Sequence, residues 1–96
     1  MPRQGRSDLL CYLKNGVQTA VGVSAVPLIA ANDERTGLFI QNLGPGHVRV
    51  GTIGVTTTTG LQVRAWQTLE FDRVPLNAIY AVAESDTSNV VALEMG

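Results

Sequence analysis

Two side chains in this sequence have the reactivity for nucleophilic or acid–base chemistry near neutral pH: the lone histidine, His47, and the lone cysteine, Cys11. They could meet in space. A working nucleophile, however, also needs a group that orients its base and donors aimed at the developing negative charge, and nothing near either residue marks these. His47 follows Gly46 beside a turn, the usual setting of an exposed histidine. A zinc site wants several His or Cys ligands at short spacing, which one of each cannot supply.

The carboxylates are Asp8, Asp33, Glu34, Glu70, Asp72, Glu84, Asp86 and Glu94. Glu70 and Asp72 fall on one face of a strand, about 7 Å apart. That spacing is superficially that of a catalytic pair, but charges alternating with Leu69 and Phe71 read as a solvated face. The polar stretches holding Asp33-Glu34 and Asp86 lack the alternating acidic pattern of a calcium loop. Gly44-Pro45-Gly46 lacks the lysine and the following helix of a phosphate loop. No catalytic, cofactor-binding or metal-binding residue is assigned, and the expectation is a protein that is not an enzyme and uses no cofactor.

What remains are residues suited to contact. Trp66, the only tryptophan, is either an interface anchor or a cap on the core, since a large ring with one polar N–H suits both. Residues 1–16 differ from the rest. Arg3, Arg6 and Lys14 make this segment basic, and Leu9, Leu10, Tyr12 and Leu13 give it an apolar patch. Ser7 could cap a short helix starting at Asp8 and ending at Asn15-Gly16. So short a helix is not stable alone in water, so the arm, helical or extended, packs on its own domain or docks on a neighbour. The residues expected at a partner interface are therefore Arg3, Arg6, Leu9, Leu10, Tyr12, Leu13, Lys14 and Trp66.

The elements that must position these groups are strands. A chain of 96 residues makes one domain that buries roughly 60–70% of its unfolded surface, which leaves little room for a deep cleft. Val17, Thr19, Val21 and Val23 alternate with Gln18, Ala20, Gly22 and Ser24, the period of a strand with one buried face. VPLIAA follows, and Pro27 places it at a sheet edge or strand start. Leu38 and Ile40 alternate with Phe39 and Gln41, Val48 and Val50 with His47 and Arg49. These two segments read as a hairpin around Gly44–Gly46. The threonine run 56–59 reads as an exposed strand or long loop. LQV, the turn Arg64–Gln67, TLEFD, AIYAVA, a polar loop over 84–89 and VVALEM complete the chain, the last with Val91, Leu93 and Met95 on one face. The expected fold is all-β: a single small β-sandwich or jelly-roll-like barrel of about seven or eight short antiparallel strands over 17–96, with an N-terminal arm over 1–16.

Composition narrows the function classes. Net charge is −1, which argues against a dedicated nucleic-acid protein. Charged residues are 16% against the usual ~25%, so the surface is either neutral-polar or covered by partners. One cysteine permits no internal disulfide and fits a reducing cytoplasm. No apolar run reaches the ~20 residues of a membrane helix, and Leu9–Leu13 is too short for a signal-peptide core.

The stretch Arg35-Thr36-Gly37-Leu38-Phe39-Ile40-Gln41-Asn42-Leu43-Gly44, continued by Val48-Arg49-Val50-Gly51, resembles a pattern R-x-G-L-x-I-x-N-x-G followed by V-x-V-G in small virion proteins of tailed bacteriophages. Ala78–Ala83, a polar turn and Val91–Glu94 resemble their C-terminal part. The resemblance spans about residues 17–95 and leaves the arm outside it. Arg35, Gly37, Asn42, Gly44 and Gly51 carry the motif, in scaffold roles. Gly37 and Gly51 suit backbone angles that other residues avoid; Asn42 can bond its own backbone and fix the turn; Arg35 can pair with a carboxylate of a neighbouring strand.

The resemblance implies a virion structural protein assembled in the cytoplasm of a bacterial host. The leading expectation is a capsid decoration or cement protein that binds the major capsid protein or another virion protein. It would act as a symmetric homo-oligomer, a trimer for preference, with no nucleic-acid or membrane partner. A tail, neck or fibre-associated protein and a carbohydrate- or receptor-binding β module are the alternatives. Copy number per particle separates capsid from tail, and glycan binding separates the last.

Overall fold

The computed structural model describes residues 16–96. They form eight strands: β1 (Val17–Val21), β2 (Val26–Ile29), β3 (Gly37–Asn42), β4 (Val48–Gly51), β5 (Leu61–Val63), β6 (Thr68–Glu70), β7 (Ile79–Ala83) and β8 (Ser88–Met95). Two four-stranded antiparallel sheets result, ordered β1-β8-β3-β6 and β2-β7-β4-β5. No helix among the described residues is long and apolar enough to cross a membrane.

The pairing is nested. β1 pairs with β8, β2 with β7, β3 with β6 and β4 with β5, so the chain is one long hairpin rolled into two layers, which is a jelly roll. Rolling explains an error in the sequence reading. β3 and β4 do not form a hairpin: they lie in different sheets, and residues 43–47 carry the chain from one layer to the other. Consecutive strands share a sheet only at β4 and β5, joined by a loop over 52–60. The threonine run lies in that loop and is not a strand. It is closed on itself: the Thr56 amide donates to the Thr59 hydroxyl at 2.8 Å, and the two hydroxyls lie 3.0 Å apart.

Period-two side chains fill the space between the layers. Val21, Leu38, Ile40, Val90 and Ala92 come from the first sheet, and Leu28, Val48, Val50, Val63, Ile79, Ala81 and Ala83 from the second, with Leu69 and Phe71 packed against them. β1 departs from expectation. Only Val21 is buried; Val17 and Val23 are 63% and 62% exposed, because β1 is an edge strand and Val23 lies beyond its end. β8 buries Ser88, Val90 and Ala92, so Val91, Leu93 and Met95 stand on the outer face opposite Gln41, Phe39 and Gly37. Pro27 lies on the edge strand β2, where a missing N–H costs no ladder bond and the register slips.

This alternation sorts the connections into two ends. Loops 22–25, 43–47, 64–67 and 84–87 gather at one end. Loops 30–36, 52–60 and 71–78 gather at the other, with Gly16 and Gly96.

Candidate functional site

The first end is organised around a buried amide. Asn42, the last residue of β3, is fully buried. Its side-chain nitrogen donates to Gly46 O at 2.8 Å and Val63 O at 2.9 Å, and its side-chain oxygen accepts the Gly44 N–H at 2.8 Å. One side chain thus ties β3, the crossing loop and the end of β5 together. Its backbone does the same for the next loop: its N–H donates to Gln67 O, and its carbonyl accepts the Trp66 N–H at 2.7 Å. A buried polar group so fully partnered is stabilising, whereas an unpartnered one costs about 1–3 kcal/mol.

Ser88 repeats the device from β8. Its hydroxyl accepts the Gly46 N–H and donates to Gly46 O, both at 2.7 Å. The exposed His47 uses Nδ1 to accept the Ala65 N–H at 3.0 Å. Loop 64–67 closes on itself through Gln67, whose N–H donates to Arg64 O and whose side-chain oxygen accepts the Arg64 N–H.

These bonds hold Trp66 in an unusual state. Its φ is +69°, a left-handed backbone that costs a residue with a Cβ about 1 kcal/mol or more. Its indole is 74% exposed, so the ring caps no core. Gly44 makes the arrangement possible. Its φ is +76°, and a Cβ there would sit about 3.2 Å from the indole carbons, so the ring rests on bare backbone next to the cis Gly44–Pro45 bond. The indole is thus a bulky apolar ring standing in solvent on a left-handed backbone, with the Trp66 N–H bonded to the Asn42 carbonyl.

The second end is organised around a charge. The Arg35 side chain is buried, with Nε 2.9 Å from a Glu94 carboxylate oxygen on β8. Its remaining N–H groups donate to the carbonyls of Ala30, Pro75 and Asn77. Asn32 donates to the same carboxylate oxygen. Next to this cluster lies a cleft of about 330 Å³ between the layers, lined by Val50, Gly51, Thr52, Gly60, Leu61, Phe71, Pro75, Asn77 and Ile79. Its lining is apolar apart from Thr52 and Asn77.

The sequence-predicted residues therefore divide. Trp66, Asn42 and Gly44 come together at the first end, and Arg35, Gly37 and Gly51 belong to the second. Gly37 and Gly51 do not have the left-handed angles expected of them. Space is tight at Gly51, where Val55 lies about 3.3 Å from where a Cβ would be, whereas a Cβ at Gly37 would meet first the flexible terminal methyl of Met95. Arg3, Arg6, Leu9, Leu10, Tyr12, Leu13 and Lys14 lie outside the described residues. Glu70 and Asp72 are exposed at the edge of the first sheet. Among the described residues no cluster of three or more His, Cys, Asp or Glu could hold a metal ion.

Sequence reasoning missed Ser88, hidden at the edge of a polar stretch, and the trio Arg49, Gln62 and Glu84. Arg49 and Gln62 both donate to one Glu84 oxygen, at 2.8 and 2.7 Å. The Arg49 hydrogen bond first, then that of Gln62, holds the Glu84 carboxyl below its usual range.

Comparison with protein families, curated proteins and solved structures finds no significant match.

Proposed function

We propose that this chain is a virion structural protein: a capsid decoration or cement protein of the tailed-phage kind, working without catalysis by docking on other protein chains through its Trp66 end. The observation that carries the docking reading is Trp66 itself, exposed and yet held at a strained, fixed angle by Asn42, Gly44 and His47. Natural sequences accept such strain where it serves recognition, and tryptophan is among the side chains that contribute most at interfaces. The virion context comes from the resemblance over residues 35–51 and 78–94, and the jelly roll suits it, although that fold hosts many functions. Repeated equivalent sites on a shell make a modest contact per copy sufficient through multivalency.

The test is occupancy. Phage particles lacking decoration are mixed with the wild-type chain or with Trp66→Gly, a change the backbone accepts because glycine is at ease at positive φ. Wild type is expected to saturate the shell, and the variant to fold and lose most of its binding. A folded Trp66→Gly chain that decorates at wild-type occupancy ends this reading. An exposed indole also suits stacking on a sugar ring, so binding to a glycan array together with no binding to particles would favour a carbohydrate-binding module.

A further inference from the structure

We infer that the surface receiving Trp66 is the apolar cleft at the opposite end of a second copy of this chain, so that copies join head to tail. The inference rests on the reading of Trp66 as a protein contact and names its partner.

The two features complement each other in place, size and chemistry. Trp66 stands at one end of β5, just past Val63, and the cleft opens at the other end, beside Leu61. Trp66 therefore cannot enter the cleft of its own molecule, whereas Trp66 of the next molecule along the strand axis can. The cleft's volume of about 330 Å³ has room for an indole with space to spare. Its walls are Val50, Leu61, Phe71, Pro75 and Ile79, the lining a desolvated ring requires, and Phe71 offers an aromatic partner.

A buried indole also needs an acceptor for its N–H. Asn77 lines the cleft, and its side-chain nitrogen is engaged with Ala78 O, which orients the amide and leaves its carbonyl oxygen to accept. The cleft wall is firm on that side, because Arg35 holds the Pro75 and Asn77 carbonyls. Leu61, 54% exposed at the rim, is covered by the same contact.

Such a contact joins two different surfaces. It closes into a ring if the rotation between copies allows and otherwise extends into a filament. A shell would then meet a multivalent assembly.

Because the chain has a single tryptophan, its fluorescence reports this contact alone. The full chain is titrated from micromolar to millimolar, with molar mass by light scattering and emission maximum read on the same samples. Mass is expected to rise with a blue shift and falling acrylamide quenching as the indole leaves water. Leu61→Arg places a charge on the exposed rim while keeping the core intact. It should weaken association by roughly thirtyfold or more, as loss of a hot-spot contact does, and should keep the emission red throughout. Mass that rises without a blue shift, or a blue shift that persists in folded Leu61→Arg, overturns the inference. So does a wild-type chain that stays monomeric with red emission at every concentration. That last result would leave the docking role of Trp66 standing if Trp66→Gly still abolished particle binding, so the two readings fail separately.

Discussion

The two ends of this sandwich solve one problem with different chemistry. At each end several loops turn between layers and leave buried backbone groups that the sheets do not pair. The Trp66 end satisfies them with neutral side chains. Asn42 and Ser88 act as stand-ins for missing peptide groups, over short reach, where the loops are only four or five residues long. The cleft end satisfies them with one cation, whose long side chain spans from loop 30–36 to loop 71–78 and finds its counter-charge on β8. Compact neutral stitching produces a rigid platform, and the strained residue sits on it. A charge that spans long loops leaves a gap beside it, and the cleft is that gap.

The largest way to break the comparison is at the charge. Arg35→Met keeps the length but strips the donors, removing the guanidinium from the partly buried Glu94 carboxylate and these bonds from the carbonyls of Ala30, Pro75 and Asn77. About 3–5 kcal/mol of stability should go, read as a lower midpoint in urea unfolding, and the cleft should lose its firm wall. Asn42→Ala comes next. It removes two buried hydrogen bonds and one part-buried one and should cost about 2–3 kcal/mol. The indole, no longer held at its angle, should show greater anisotropy decay on the nanosecond scale. If Asn42→Ala proves the more costly of the two, the contrast between a neutral and a charged end is wrong as drawn.

The smallest effect lies on the outer face of the second sheet. The Glu84 carboxyl has a lower pKa folded than unfolded. Its contribution is therefore fully present above the ordinary carboxylate pKa and disappears as pH falls through the lowered folded value. Being solvent-screened, the effect is slight. Stability measured against pH should show a shallower acid limb in Glu84→Gln than in wild type.

The strands were legible because alternation survives wherever one face is buried: Leu38 and Ile40, Val48 and Val50, and Leu69 and Phe71 all turn inward. Pairing was less legible. Leu43–Gly46 reads as a turn whether the next strand returns beside the last or crosses to the other layer, since glycine and proline signal a change of direction and nothing about distance. Edge position was equally hidden in β1, where Val17 has the right period and yet remains in water while Val21 is buried. At the candidate site, Asn42 was readable from its place before a glycine, while Ser88 was not, because a serine ending a polar stretch has the composition of the loop it leaves. That Trp66 is exposed depends on its backbone angle, which composition does not encode.

The nested pairing has a consequence for how the molecule is made. Val17 finds its partner in Ala92 and Val26 in Ala81, so β1 and β2, the first of the eight strands to leave the ribosome, wait for β8 and β7. Only β4 with β5 can zip up locally; every wider ring of the roll requires closing a longer loop first, which slows folding. β8 must be synthesised before the first sheet closes and β7 before the second, and until then the growing chain presents unpaired, valine-rich edges to whatever surrounds it.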